Sequence, residues 1–237
     1  MHRFLERKMD RFTYFDFIAH IVPGALLLGA IAFLFESKTF IVITGNAAID
    51  LLLFVVISFT IGAFVHQLSN HLVQPLVQRL FWHGRFYSEV YLVKQYNLCQ
   101  NPLRAQIIST AKPLFKFDSS SLASLDCDFD SSKSIDPHVV SHQIYRRFDY
   151  FTKDKDLAKK GHTANVLYGL FRTMTLAALI LAILFGISYF GHASVMGLIP
   201  RVLLAILSLL SSVLFLLRAR REGERYVQGI LSAVSGR

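Results

Sequence analysis

The chain has 237 residues, 53% of them apolar, 21 phenylalanines and only 17% charged residues. A soluble domain averages about 25% charged residues, and here the deficit falls in four long apolar runs, so an ordinary water-soluble domain is excluded. The formal net charge of +9 would suit nucleic acid in a soluble protein, but the basic residues flank the apolar runs, which makes anionic lipid headgroups the expected partner and nucleic acid an unlikely one.

Residues 1–16, a basic and aromatic flank, place Arg3, Arg7, Lys8 and Arg11 among Phe4, Leu5, Met9, Phe12 and Phe15. This pattern suits a helix lying in the headgroup layer. The first span is expected over about 17–35. At about 1.5 Å per residue it just crosses a hydrocarbon core of about 30 Å. No A-x-A-like cleavage site follows, so the segment reads as an uncleaved span. Pro23-Gly24 predicts a kink or a close helix contact there, and Ala25 and Gly29 are small enough for close packing. After a short connector, Asn46 can start the next helix.

The second span, about 49–65, changes character without a turn signal. Beyond it Leu68, Leu72, Leu76 and Leu80 recur every fourth residue, and His66, Asn70, Gln74 and Gln78 recur at the same period on the other side. The membrane helix is therefore expected to continue as an amphipathic stalk, its polar side opposite the leucines and Pro75 bending it.

Residues 66–165 form this stalk and a polar, mainly helical segment. Arg85–Asn97 and Leu103–Ala111 read as helices, the latter ended by Lys112-Pro113. Ser- and Asp-rich Phe117–Asp136 reads as a loop. Asp136-Pro137 supplies an N-cap and a first-turn proline, with Val140, Ile144, Phe148 and Phe151 on one face of the helix that follows. The second hairpin occupies 166–217, with spans at about 166–190 and 196–217. A basic tail, 218–237, then carries an apolar stripe of Tyr226, Ile230 and Val234.

Of the 25 Lys and Arg, four lie in residues 1–12, thirteen between Gln67 and Asn165, and five after Leu217. The positive-inside rule then places both termini and residues 66–165 in the cytosol of an inner (plasma) membrane protein. The expected fold is an all-α membrane protein, two hairpins with four transmembrane helices and a helical cytosolic segment between them.

Candidate polar residues within the membrane or at its surface are Asp16 and His20, four apart at the mouth of the first span; Arg172, which can snorkel to the interface or pair with Asp16 or a lipid phosphate; and Ser208, Ser211 and Ser212, which suit helix-contact hydrogen bonds better than a pore lining. Tyr145, Arg146, Arg147, Phe148 and Phe151 make a basic and aromatic candidate partner surface. His138 and His142 have a metal-compatible i, i+4 spacing but lack the intervening Glu of H-E-x-x-H, and the Asp126, Asp128, Asp130 triplet lacks the Gly and terminal Glu of a calcium loop. Cys99 and Cys127 read as inert cytosolic thiols. No catalytic, cofactor-binding or metal residue is assigned, because no GxSxG, P-loop or paired-carboxylate pattern occurs.

The stretches YFDFIAHIVPGALLL, VVISFTIGAFVHQLS, YGLFRTMTLAALILA and FLLRARREGERYVQGILSAV resemble those of uncharacterised bacterial four-span inner-membrane proteins, some found beside phage-defence genes. The resemblance covers most of the chain and carries no catalytic residues; it implies a bacterial inner-membrane protein and a defence context. The expected function is a non-enzymatic scaffold or effector subunit acting in a homo-oligomer or with a cytosolic protein partner. A depolarising oligomeric pore ranks second and an interfacial lipid-acting enzyme third.

Overall fold

The computed structural model describes residues 14–34, 44–126, 135–154, 159–187 and 198–235. The basic flank up to residue 13, most of the first connector, Cys127, Asp128, Asp130, residues 188–197 of the second connector and the last two residues lie outside them. The described elements are α1 (Tyr14–Leu34), α2 (Ala47–Phe81), α3 (Tyr87–Val90), a 3-10 turn (Lys94–Tyr96), α4 (Asn101–Phe115), α5 (Ser119–Ser124), α6 (Pro137–Asp154), α7 (Lys159–Ile187) and α8 (Leu198–Ser235). No strand occurs among the described residues. Four helices are long and apolar enough to cross a membrane, at Phe17–Leu34, Ala47–Phe81, Gly161–Ile187 and Ile199–Val234. The protein is an all-α membrane protein.

Local chemistry sets several helix starts. Asn46 caps α2 by accepting from the Ala48 N–H (3.1 Å), and Asp50 in its first turn accepts from the Thr44 N–H and hydroxyl (2.8 and 2.9 Å). A carboxylate there complements the positive end of the helix dipole. Asp136 caps α6 through the His138 N–H (2.9 Å), ahead of Pro137.

Two compact units make up the chain, one from residues 1–75 and 166–219, the other from 76–165 and 220–237. The first buries Leu27, Leu28, Val65, Val73, Leu176 and Phe185. The second has its own core of Val77, Trp82, Leu92, Ile107, Leu125, Ile144, Phe148, Ile230 and Leu231. The apolar stripe of the tail is part of that core: Ile230 and Val234 are buried, the Tyr226 ring meets Tyr145 edge-on at 6.0 Å, and Gln228 Nε2 donates to the Tyr87 hydroxyl (3.2 Å).

The polar segment departs from expectation in three places. The helix expected over 85–97 ends at Val90, because Val90, Tyr91, Leu92 and Val93 are all buried, and four consecutive buried residues do not fit one helix face. The non-helical backbone is satisfied by side chains: Leu92 O accepts from Arg104 Nε (2.7 Å) and Leu92 N–H donates to Ser141 Oγ (3.4 Å). α4 runs through Pro113 to Phe115; a proline in the last turn forfeits one ladder bond, and Lys116 closes the helix in the left-handed region (φ 53°). Part of the expected Ser-rich loop is α5, which buries Leu122 and packs on α6.

Candidate functional site

In the first unit the backbones of α1 and α2 touch. A Cβ on Gly24 would overlap the Ser58 carbonyl, and one on Gly62 would overlap the His20 carbonyl. Only small residues permit that approach, and without a hydrophobic force in lipid it is such packing that holds membrane helices together. Gly29, which was expected with Ala25 to allow close packing, has open space around it among the described residues.

One turn beyond Gly62, the His66 ring lies 5.0 Å from that of His20. His66 Nδ1 is 2.9 Å from Thr173 Oγ1. The Thr173 hydroxyl donates to Gly169 O (2.8 Å), so its oxygen is left to accept and the His66 Nδ1–H donates. Further along, Arg172 Nη1 donates to Gln74 Oε1 (2.6 Å) and Nη2 to Asn70 Oδ1, and its Cζ lies 5.0 Å from the Tyr168 ring centre.

His66, Asn70 and Gln74 therefore line an internal seam against α7, not a water-facing side. It is the opposite side, with Leu72 54% exposed, that faces outward. The reason is the neighbour: where α2 packs on α7 the polar groups find one another, and the leucines are left on the outer side. Arg172 does not snorkel. It is 7% exposed, and among the described residues its guanidinium donates to two neutral amides. The Asp16 side chain lies outside the described residues. On α8, Ser212 is buried and donates to Thr175 O (3.1 Å), while Ser208 and Ser211 are half-buried.

In the second unit the expected partner surface separates into two layers. Phe148 is fully buried, Tyr145 is buried, and Phe151 is half-buried. Phe148 and Phe151 pack on Phe115 with ring centres 5.2 and 6.2 Å away. Tyr145 and Phe148 are core, so they cannot meet a partner; burying such rings is what holds α6 in place. Arg146 and Arg147 stay exposed. Arg147 is fixed by a bond to Phe115 O (2.6 Å) and by stacking over Phe117 at 4.6 Å. With Phe115, Gln143 and Tyr150 the two arginines line an open groove of about 600 Å³.

Gln143 and Tyr150, the latter 78% exposed, were not among the expected surface residues. Their signal was present: 143, 146, 147 and 150 share one helix face.

His138 and His142 serve different neighbours. His138 is buried, its Nδ1 bonded to Asp136 Oδ1 (2.8 Å) and its Nε2 to the Tyr96 hydroxyl (2.9 Å). His142 Nδ1 pairs with Ser88 Oγ (3.0 Å). Burial pushes the His142 pKa down, against the pull of Glu89 and with the help of Arg146. Burial pushes Asp136 up, but the His138 N–H, its ring and Arg85 together hold the carboxyl below its usual range. The Cys99 thiol is buried and pushed up by that burial, although Tyr91 and Arg104 pull it down. A raised thiol pKa disfavours the reactive thiolate.

The chain matches no family model, no curated protein and no solved structure.

Proposed function

We propose that the chain is a non-enzymatic scaffold or effector subunit of a bacterial inner membrane, acting through its second unit on a cytosolic protein partner or a second copy, in a setting such as phage defence. The observation that carries this reading is the groove of Arg146, Arg147, Gln143, Tyr150 and Phe115, which stands on a filled core. Arginine and tyrosine are the side chains that most often anchor protein interfaces. The basic-residue distribution supports a cytosolic position for this unit and for both termini.

The test is site-specific photocrosslinking in cells. A photoreactive residue replacing Gln143 or Tyr150 should give a discrete adduct that Arg146→Glu removes, and the same residue at exposed Gln95 should not. Equal labelling at Gln95 and in the groove, or no adduct at all, would refute the reading.

A second reading, an oligomer that depolarises the membrane, is favoured by the fourth span. Its Leu203, Ile206, Leu207, Leu210 and Leu214 are exposed, leaving a long apolar face for other copies. Phenylalanine at Ser208 and Ser211 should then change ion leakage, and unchanged conductance would argue against a pore.

A further inference from the structure

We infer that Arg172, Asn70 and Gln74 form a phosphate-recognition site in the first unit, filled by the headgroup of an anionic phospholipid or by free phosphate. Arg172 is more than nine-tenths buried; Nη1 and Nη2 donate to Gln74 and Asn70, and the Tyr168 side chain is a further hydrogen-bonding neighbour, which still leaves part of the five-donor guanidinium unused. Its Nε is buried with no acceptor among the described residues. Burying a cation without a counter-charge is costly, and the two amides that Arg172 bonds among the described residues are neutral.

The two amides sharpen the selectivity. Asn70 and Gln74 turn their carbonyl oxygens to Arg172, so the polar ends they have left are NH2 donors. The Asn70 NH2 makes only a long bond to Gln67 Oε1 (3.4 Å). The cluster thus combines a positive charge with spare donors, the complement of a group with several acceptor oxygens and negative charge. A guanidinium fork matches phosphate in this way. Asn70 and Gln74 are half-buried, so the cluster is reachable from outside.

Depth favours the lipid as the source. The uncharged run opens at Leu51, after Asp50, and along α2 Asn70 lies about 29 Å and Gln74 about 35 Å further on at about 1.5 Å per residue. A hydrocarbon core is about 30 Å thick, so Asn70 falls at its edge and Gln74 at headgroup level.

The test uses the purified full-length protein, native mass spectrometry and thermal melting, with dioleoylphosphatidylglycerol, dioleoylphosphatidylcholine and inorganic phosphate as probes. Phosphatidylglycerol should be retained about tenfold better than phosphatidylcholine, as expected for one charge-assisted contact pair. Gln74→Glu sets a carboxylate beside the guanidinium. It should abolish that preference while leaving the lipid-free melting temperature unchanged or higher, and Arg172→Gln should abolish the preference too. A melting shift with inorganic phosphate and no lipid preference, lost in Gln74→Glu, would assign the site to free phosphate. Lipid retention equal in wild type and Gln74→Glu, with no phosphate effect in either, would overturn the proposal; because Gln74→Glu neutralises Arg172 without removing it, this holds even if Arg172→Gln fails to fold.

Discussion

At Arg172 two amide oxygens and an aromatic face offset part of the cost of burying a guanidinium. Hydrogen bonds between membrane helices average about 0.6 kcal/mol and those to charged groups about 1.5–3 kcal/mol. A double-mutant cycle of Arg172→Ala with Asn70→Ala should therefore give a coupling of about 1–2 kcal/mol in a refolding equilibrium, and additive effects would show that the pair does not interact. Gly62→Ala forces a methyl into the His20 carbonyl and should cost about 1–3 kcal/mol. Gly29→Ala, with open space, should be neutral or slightly stabilising. In the second unit His142 has a depressed pKa when folded. The stability it contributes is complete above its ordinary value of 6.5 and is lost as pH falls through the folded value. His142→Gln should flatten the decline of melting temperature on acidification from about pH 7 to 5. Asp136, also depressed, acts in the same direction but at lower pH, below about 4.

At the scale of elements, α6 shows how one helix serves both core and surface. Phe148→Ala opens a cavity beside Phe115 and should destabilise the unit by about 3–5 kcal/mol. Exposed Arg146→Ala should stay within about 0.5 kcal/mol, so protease resistance of the two variants should differ sharply. The starts of α2 and α6 were legible because a cap is local chemistry: Asn46 and Asp136-Pro137 need no knowledge of the fold. The four-residue period of His66, Asn70 and Gln74 was legible too. The direction it faces was not, because a polar stripe turns to water or to a polar neighbour, and here α7 supplies the neighbour. The break after Val90 was hidden for a different reason: it depends on Arg104 and Ser141, distant in sequence, supplying hydrogen bonds to Leu92. Tyr145 and Phe148 read as surface because they adjoin two arginines, and adjacency on a helix says nothing about which side is covered.

At the scale of the molecule, composition alone separated the four membrane-crossing helices from the polar segment, because about 20 consecutive apolar residues have no other common use. It did not show that the tail joins the middle segment in one core; that pairing rests on Tyr226, Gln228 and Ile230 meeting residues from far earlier in the chain. A tail built into a folded unit with an exposed cationic groove suits a protein that works by holding a partner. The hydroxyls of Thr173, Thr175 and Ser212 are spent on backbone carbonyls, which suits helix contact better than a conducting path. The measurement that separates the two readings is membrane potential, followed with a voltage-sensitive dye in bacteria expressing the chain alone beside a matched inert membrane protein. The scaffold account predicts an unchanged potential at equal membrane abundance. Rapid depolarisation, reduced by bulky residues at Ser208 and Ser211, would contradict it and establish the pore.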